Sequence, residues 1–156
     1  MTSALKTFRH RSVVRTSIAE MTRFHAAPEA LRVLTPPPVR LQVLRDDRTA
    51  LTAGVITFRL WLGPLPVRWV ARHEPGAYPT VFVDRMIAGP MAVWRHEHRF
   101  RAVGQGVELT DVITYAHPPG WRGLLTRLAF GGPPLRAVFA YRHWRTRRAL
   151  EHPPHD

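Results

Sequence analysis

Hydrophobic and polar residues alternate along most of this chain. Over Phe8 to Val14, the residues Phe8, His10, Ser12 and Val14 share one face while Arg9, Arg11 and Val13 share the other, which is the period of a strand. The same period resumes at Val39. It predicts strands over Val39 to Leu44, Thr52 to Leu62, Val67 to His73, Thr80 to Ile87, Ala92 to Arg101 and Val107 to Tyr115, parted by turn clusters such as G-P-L-P, E-P-G-A-Y-P and A-G-P. Between the first strand and this meander the spacing turns helical. S-I-A-E at Ser17 is a capping-box pattern that starts a short helix to about Ala26. Pro28 suits the first turn of a second short helix carrying Leu31 and Leu34, which must stop at Pro36-Pro37-Pro38. After H-P-P-G, Trp121, Leu124, Leu125 and Leu128 recur at helical spacing. G-G-P-P at 131 to 134 then interrupts before a helix from about Leu135 to Leu150, whose Leu135, Val138, Phe139 and Arg142 lie on one stripe. The class is α+β.

A length of 156 residues fits one domain, read as 1 to 151 with a disordered tail at 152 to 156, and 45% hydrophobic residues can fill a sizeable core. The absence of cysteine excludes disulfides, a thiol nucleophile and thiolate metal sites, and suits the cytoplasm. The opening MTSALKTFRHRSVV has no signal-peptide core, and no apolar run is long enough to predict a transmembrane segment. A formal charge of +12 points toward polyanions, but Lys6 is the single lysine among 23 basic residues, and the arginines scatter from Arg9 to Arg148 without a dense run. That scatter is what a GC-rich genome produces, so nucleic acid is not the expected partner.

The chemistry gathers around W-R-H-E-H-R-F. Trp94, His96, His98 and Phe100 alternate with Arg95, Glu97, Arg99 and Arg101, which turns the aromatic positions inward. A three-residue turn at Gly89 to Met91 places Asp84 opposite His96 and Phe82 opposite His98. A four-residue turn from Ala102 to Gln105 would place Asp111 opposite His96 from the other side, and pairing His73 with Thr80 would put Trp69 beside Asp84. Asp84, His96 and Asp111 then form a row across three strands about 4.8 Å apart. Arg142, on the core-facing stripe of the last helix, is placed to complete it.

The segments F-V-D-R-M-I-A-G-P-M-A-V-W-R-H-E-H-R-F, G-V-E-L-T-D-V-I-T-Y-A-H-P-P-G and V-F-A-Y-R resemble the bacterial ligand-binding branch of the START-like superfamily, which includes polyketide cyclases. Met91 stands where that pattern often has an aromatic residue. The resemblance implies a helix-grip fold, a curved seven-stranded antiparallel sheet around a long, interrupted C-terminal helix, with two short helices after strand 1. It also implies a hydrophobic cavity between sheet and helix, without implying a reaction.

The expected function is binding or carriage of a hydrophobic small molecule, such as a lipid, an isoprenoid or a polyketide-like aromatic. The residues expected at it are Trp69, Phe82, Asp84, Trp94, His96, His98, Phe100, Asp111, Ile113, Tyr115, Phe139 and Arg142. One alternative is a cyclase or dehydratase in which His96, tuned by Asp84 and Asp111, moves protons. Another is an anionic-surface binder using outward Arg9, Arg11, Arg68, Arg72, Arg95, Arg99 and Arg101. No GxSxG, P-loop, GxGxxG or HExxH motif is present. No cofactor is expected. No metal is expected either, since His96 and His98 should lie about 7 Å apart along a strand with no third histidine tied to them by spacing. His117, His143, His152 and His155 look unremarkable. The segment from 121 to 134, with Trp121, Leu125, Leu128 and Phe130 on its underside, is expected to be a movable portal.

Overall fold

The computed structural model describes residues 3–153, so most of the predicted tail, residues 154–156, lies outside the described residues. The elements follow the expected order. They are β1 (Lys6–Val14), α1 (Ile18–Ala26), α2 (Ala30–Val33), β2 (Arg40–Asp46), β3 (Gly54–Leu62), β4 (Leu65–Pro75), β5 (Thr80–Ala88), β6 (Val93–Val103), β7 (Gly106–Ala116), α3 (Trp121–Phe130) and α4 (Gly132–Glu151). The strands form one curved antiparallel sheet in the order β1-β7-β6-β5-β4-β3-β2, a meander whose first strand returns beside its last. At the start of α1 the Ser17 backbone N–H donates to the Glu20 carboxylate, and the Glu20 N–H donates to Ser17 Oγ at 3.1 Å, as the capping box requires.

Turn chemistry sets the registers. β5 and β6 pair Asp84 with His96 and Phe82 with His98, as the Gly89 to Met91 turn predicts. Two other predicted registers are corrected. The β6–β7 hairpin closes over Gly104 and Gln105 alone, with Gly104 at φ 52, so it is a two-residue turn that puts glycine where positive φ is required. Asp111 therefore lies opposite His98, and His96 opposite Ile113. β4 runs on to Pro75 and pairs His73 with Asp84, so His73 replaces Trp69 as that cross-strand neighbour. Both slips are even-numbered at these positions, which leaves His73, Asp84, His96 and Asp111 on their predicted face.

The C-terminal interruption is shorter than the sequence suggests. Gly132, Pro133 and Pro134 belong to the first turn of α4, where a missing proline N–H breaks no helical bond. The break is at Gly131, where an added Cβ would collide with the carbonyl oxygen of Arg127.

The core has two parts. Phe58, Trp69, Trp94, Ile113 and Tyr115 of the sheet pack with Leu135 and Phe139 of α4. Val14, Phe82, Phe100, Val107 and Leu109 instead gather on Met21 of α1. Phe82 and Phe100, expected beneath α4, thus belong to the α1 side. Among the described residues no helix is long and apolar enough to cross a membrane.

Candidate functional site

A polar cluster lies between the two apolar groups. His98 stacks on Phe82 of the α1 cluster, with ring centroids 3.8 Å apart. His96 meets the edge of Phe139 of the α4 cluster at 5.2 Å. The two imidazoles touch each other, with centroids 3.7 Å apart, so the expected separation of about 7 Å between them is corrected. The side chains lean toward each other although their backbones are two residues apart.

Each histidine lies between the same two carboxylates. His96 Nε2–H donates to Asp111 Oδ1 at 2.7 Å, and its Nδ1 is 3.2 Å from Asp84 Oδ2. His98 Nε2–H donates to Asp84 Oδ2 at 2.8 Å, while its Nδ1 lies 3.3 Å from Asp111 Oδ1 without an aligned hydrogen bond. The second Asp111 oxygen accepts from His143 Nε2 at 2.7 Å, and His143 Nδ1 is hydrogen-bonded to Ser12 Oγ at 2.6 Å. His10, opposite Asp111 on β1, packs edge-on against His143 at 4.4 Å.

Burial opposes charge on His96, but Asp84 and Asp111 outweigh it and raise its pKa to about 9. Burial alone would likewise push the two aspartates up; the charge of His96 and hydrogen bonds from the surrounding histidines hold both well below the usual carboxylate range. Around this centre, other histidines are pushed the opposite way. Burial, with help from His98, drives His25 down to about 3, and its Nδ1–H donates to the Met21 carbonyl at 2.8 Å. Burial also lowers His73, although nearby Asp84 resists the shift; its Nδ1–H donates to the Leu51 carbonyl.

Arg142 does not complete the cluster as predicted. Its guanidinium lies over the Phe139 ring at 5.5 Å, and the α4 residue that reaches a carboxylate is His143. The buried stripe of α4 is Leu135, Phe139, His143 and Thr146, rotated from the predicted one, with Val138 and Arg142 on its flank.

Beside the cluster, between the sheet and the helices, is a recess of about 180 Å³. Its walls include Leu34, Leu41, Phe58, Trp69, Trp94 and Phe139, and its polar lining includes His73, Asp84, His96 and Arg142. Of the residues singled out from sequence, Trp69, Asp84, Trp94, His96, Phe139 and Arg142 line it. Phe82, His98, Phe100, Asp111, Ile113 and Tyr115 are buried away from its surface. Sequence reasoning missed Ile56, Phe58 and Leu60, although their period-two spacing on β3 carried the signal. It missed His73 because β4 was ended too early.

The sequence matches no protein-family model and no curated protein. Solved structures do resemble it. A nucleoside-diphosphate sugar epimerase from Corynebacterium glutamicum is 24% identical with a TM-score of 0.69; the match covers 92% of this chain but 29% of the epimerase chain. Norcoclaurine synthase from Thalictrum flavum, solved with dopamine and hydroxybenzaldehyde, is 16% identical with a TM-score of 0.64, covering 99% of this chain and 91% of that one. The Zhui aromatase/cyclase from Streptomyces sp. R1128 is 14% identical with a TM-score of 0.62, covering 94% and 92%. At these identities the likeness establishes the fold.

Proposed function

We propose that this chain, which has the helix-grip fold of the START-like superfamily, binds an apolar small molecule in the recess and holds a polar group of that molecule against Asp84 and His96. The observation that carries this reading is the lining itself. Aromatic and aliphatic walls converge on a carboxylate whose side chain keeps 19% of its exposure while its partner His96 is buried. An ionised Asp84 accepts hydrogen bonds, so the complementary ligand group is a hydroxyl or an amine. The volume sets the scale: about 180 Å³ suits a ring or two, whereas drug-sized pockets start near 300 Å³. A hydroxylated aromatic therefore fits better than a long acyl chain. Norcoclaurine synthase and the Zhui aromatase/cyclase carry names of aromatic chemistry on the same fold, which supports the class without fixing the molecule.

Binding is favoured over turnover by the state of His96. An acid–base catalyst works best with a pKa near the operating pH, and a ring held at about 9 between two carboxylates keeps its proton at neutrality. The anionic-surface reading is weakened on the outer face. Arg11 and Arg101 approach Glu108, and Arg95 and Arg99 approach Glu97, so four of its seven arginines have an acidic partner.

Native mass spectrometry of freshly purified protein tests the proposal. The expected result is a bound species of small-aromatic mass that is released on unfolding and is retained less well by Asp84→Asn. An apo spectrum, together with no uptake from a panel of hydroxylated aromatics, would overturn it. Conversion of a captured molecule to a new mass would instead support the enzyme reading.

A further inference from the structure

We propose that Asp84, His96 and His98 form a binding site for one divalent transition-metal ion. One carboxylate oxygen and one nitrogen from each ring all lie within 4.8 Å of one another. His96 Nδ1 is 3.2 Å and His98 Nε2 2.8 Å from the same oxygen, Asp84 Oδ2. Ligand bonds of about 2.0 to 2.2 Å put neighbouring donors roughly 3 to 3.5 Å apart, so for an ion to enter, the two rings, now 3.7 Å apart, must splay and His96 Nδ1 must release the proton it holds toward Asp84.

The opposite edges of the two rings carry the second observation. A metal-bound histidine keeps one N–H, and that N–H is usually held by a carboxylate behind it. Here the nitrogens left over, His96 Nε2 and His98 Nδ1, both face Asp111 Oδ1, at 2.7 and 3.3 Å. His98 Nδ1 is buried and makes no hydrogen bond while Asp84 takes the Nε2 proton. With an ion on Nε2, the remaining proton of the ring belongs on Nδ1, pointed at Asp111. With metal on Nε2, the ring edge that faces Asp111 Oδ1 at 3.3 Å carries a proton instead of a lone pair, and a rotation of the ring aligns it as a hydrogen bond. Asp111 is fixed in turn by His143, and His143 by Ser12.

The donor set selects the class of ion. Two imidazoles and one carboxylate suit iron(II), cobalt, zinc or nickel, whereas calcium and magnesium prefer six or more oxygen ligands. Asp84 and His96 line the recess, so two of the three ligands face that space, and His98 lies behind them. The inference shares these two residues with the proposed binding reading but needs no organic ligand, so it is tested with metal alone.

Cobalt(II) titrated into the intact protein is the probe, read by its visible ligand-field absorption. One ion per chain is expected, with affinity reduced at least about tenfold in Asp84→Asn and His98→Gln, and by about 10- to 100-fold in Asp111→Asn, where the ligands remain but lose their orienting partner. Removal of the tail histidines His152 and His155 should change nothing. A band that survives in Asp84→Asn and His98→Gln, or no band at any cobalt concentration the protein tolerates, overturns the proposal. Should those variants fail to fold, paramagnetic broadening of amide resonances in the unaltered protein decides. Broadening centred on residues 84, 96 and 98 supports the site, and broadening centred elsewhere rules it out. Loss of cobalt binding with retained uptake of a hydroxylated aromatic would remove the metal site and leave the binding reading intact.

Discussion

His96 has a carboxylate on each side, and removing its ring takes a close partner from both, while His98 still bonds Asp84 and His143 still bonds Asp111. His96→Leu should therefore destabilise the protein by about 1 to 3 kcal/mol, the usual cost of leaving a polar group short of one partner. Urea unfolding measures this, and a change below about 1 kcal/mol would show that water already solvates the aspartates. The pH dependence has a definite sign. His96 rises from 6.5 to about 9 on folding, so its contribution is complete below pH 6.5 and is lost as pH climbs toward 9. Asp84 and Asp111 are depressed, and their contribution is lost as the solution acidifies through and below the usual carboxylate range. His25, held near 3 by burial, withholds a proton that the unfolded chain takes up below 6.5, which also lowers stability on the acid side. A thermal-melting profile should peak near pH 6.5 and fall on both sides; a flat profile from pH 6.5 to 9 would mean that His96 is not held charged.

At this scale the face taken by Asp84, Trp94, His96, His98 and Asp111 was legible, because period-two alternation survives an even register slip. It did not show that His143, His25, His73 and His10 surround the row. Those positions depend on how α1, β1 and α4 roll against the sheet, and side-chain spacing along one element carries no record of that. The same limit made Arg142 look like the helix partner when about a quarter of a turn decides between it and His143.

Among the elements, α3 departs most from its predicted role. Trp121 is 68% and Leu128 77% exposed, and Leu125 also faces out, so three of the four residues expected on its underside lie on its outer surface, while Phe130 faces inward. Ala129 and Phe130, at its end, are the α3 residues that line the recess. The buried positions within α3 are Gly123 and Thr126, both small, whereas α4 buries Leu135 and Phe139 along with His143 and Thr146. Amide exchange should therefore be faster across 121 to 130 than across 135 to 147, because α3 has less buried apolar surface holding it closed. Equal protection of the two helices would contradict this. The junction between them is sterically fixed, and Gly131→Ala should lower stability by about 1 to 3 kcal/mol by forcing the Arg127 carbonyl away. Strand order and the two short helices were legible because turn residues and caps are local signals. The helix break was legible in place but not in length, since prolines that stop one helix also begin the next.

For the whole molecule, the formal charge of +12 and the polar cluster are separate matters. The charge lies largely in surface arginines, several of them paired with Glu97 or Glu108, while the buried groups form a closed set of carboxylates and imidazoles between two apolar clusters. The recess opens beside that set, and binding of an apolar molecule there is the reading that joins fold, lining and electrostatics. Titration of isotopically labelled protein with a naphthol, a hydroxylated aromatic of suitable size, tests it most directly. Amide shifts should concentrate at Phe58, Trp69, Asp84, Trp94, His96 and Phe139. Shifts confined to the exposed face of α3, at Trp121, Leu124, Leu125 and Leu128, or no shifts at all, would contradict it.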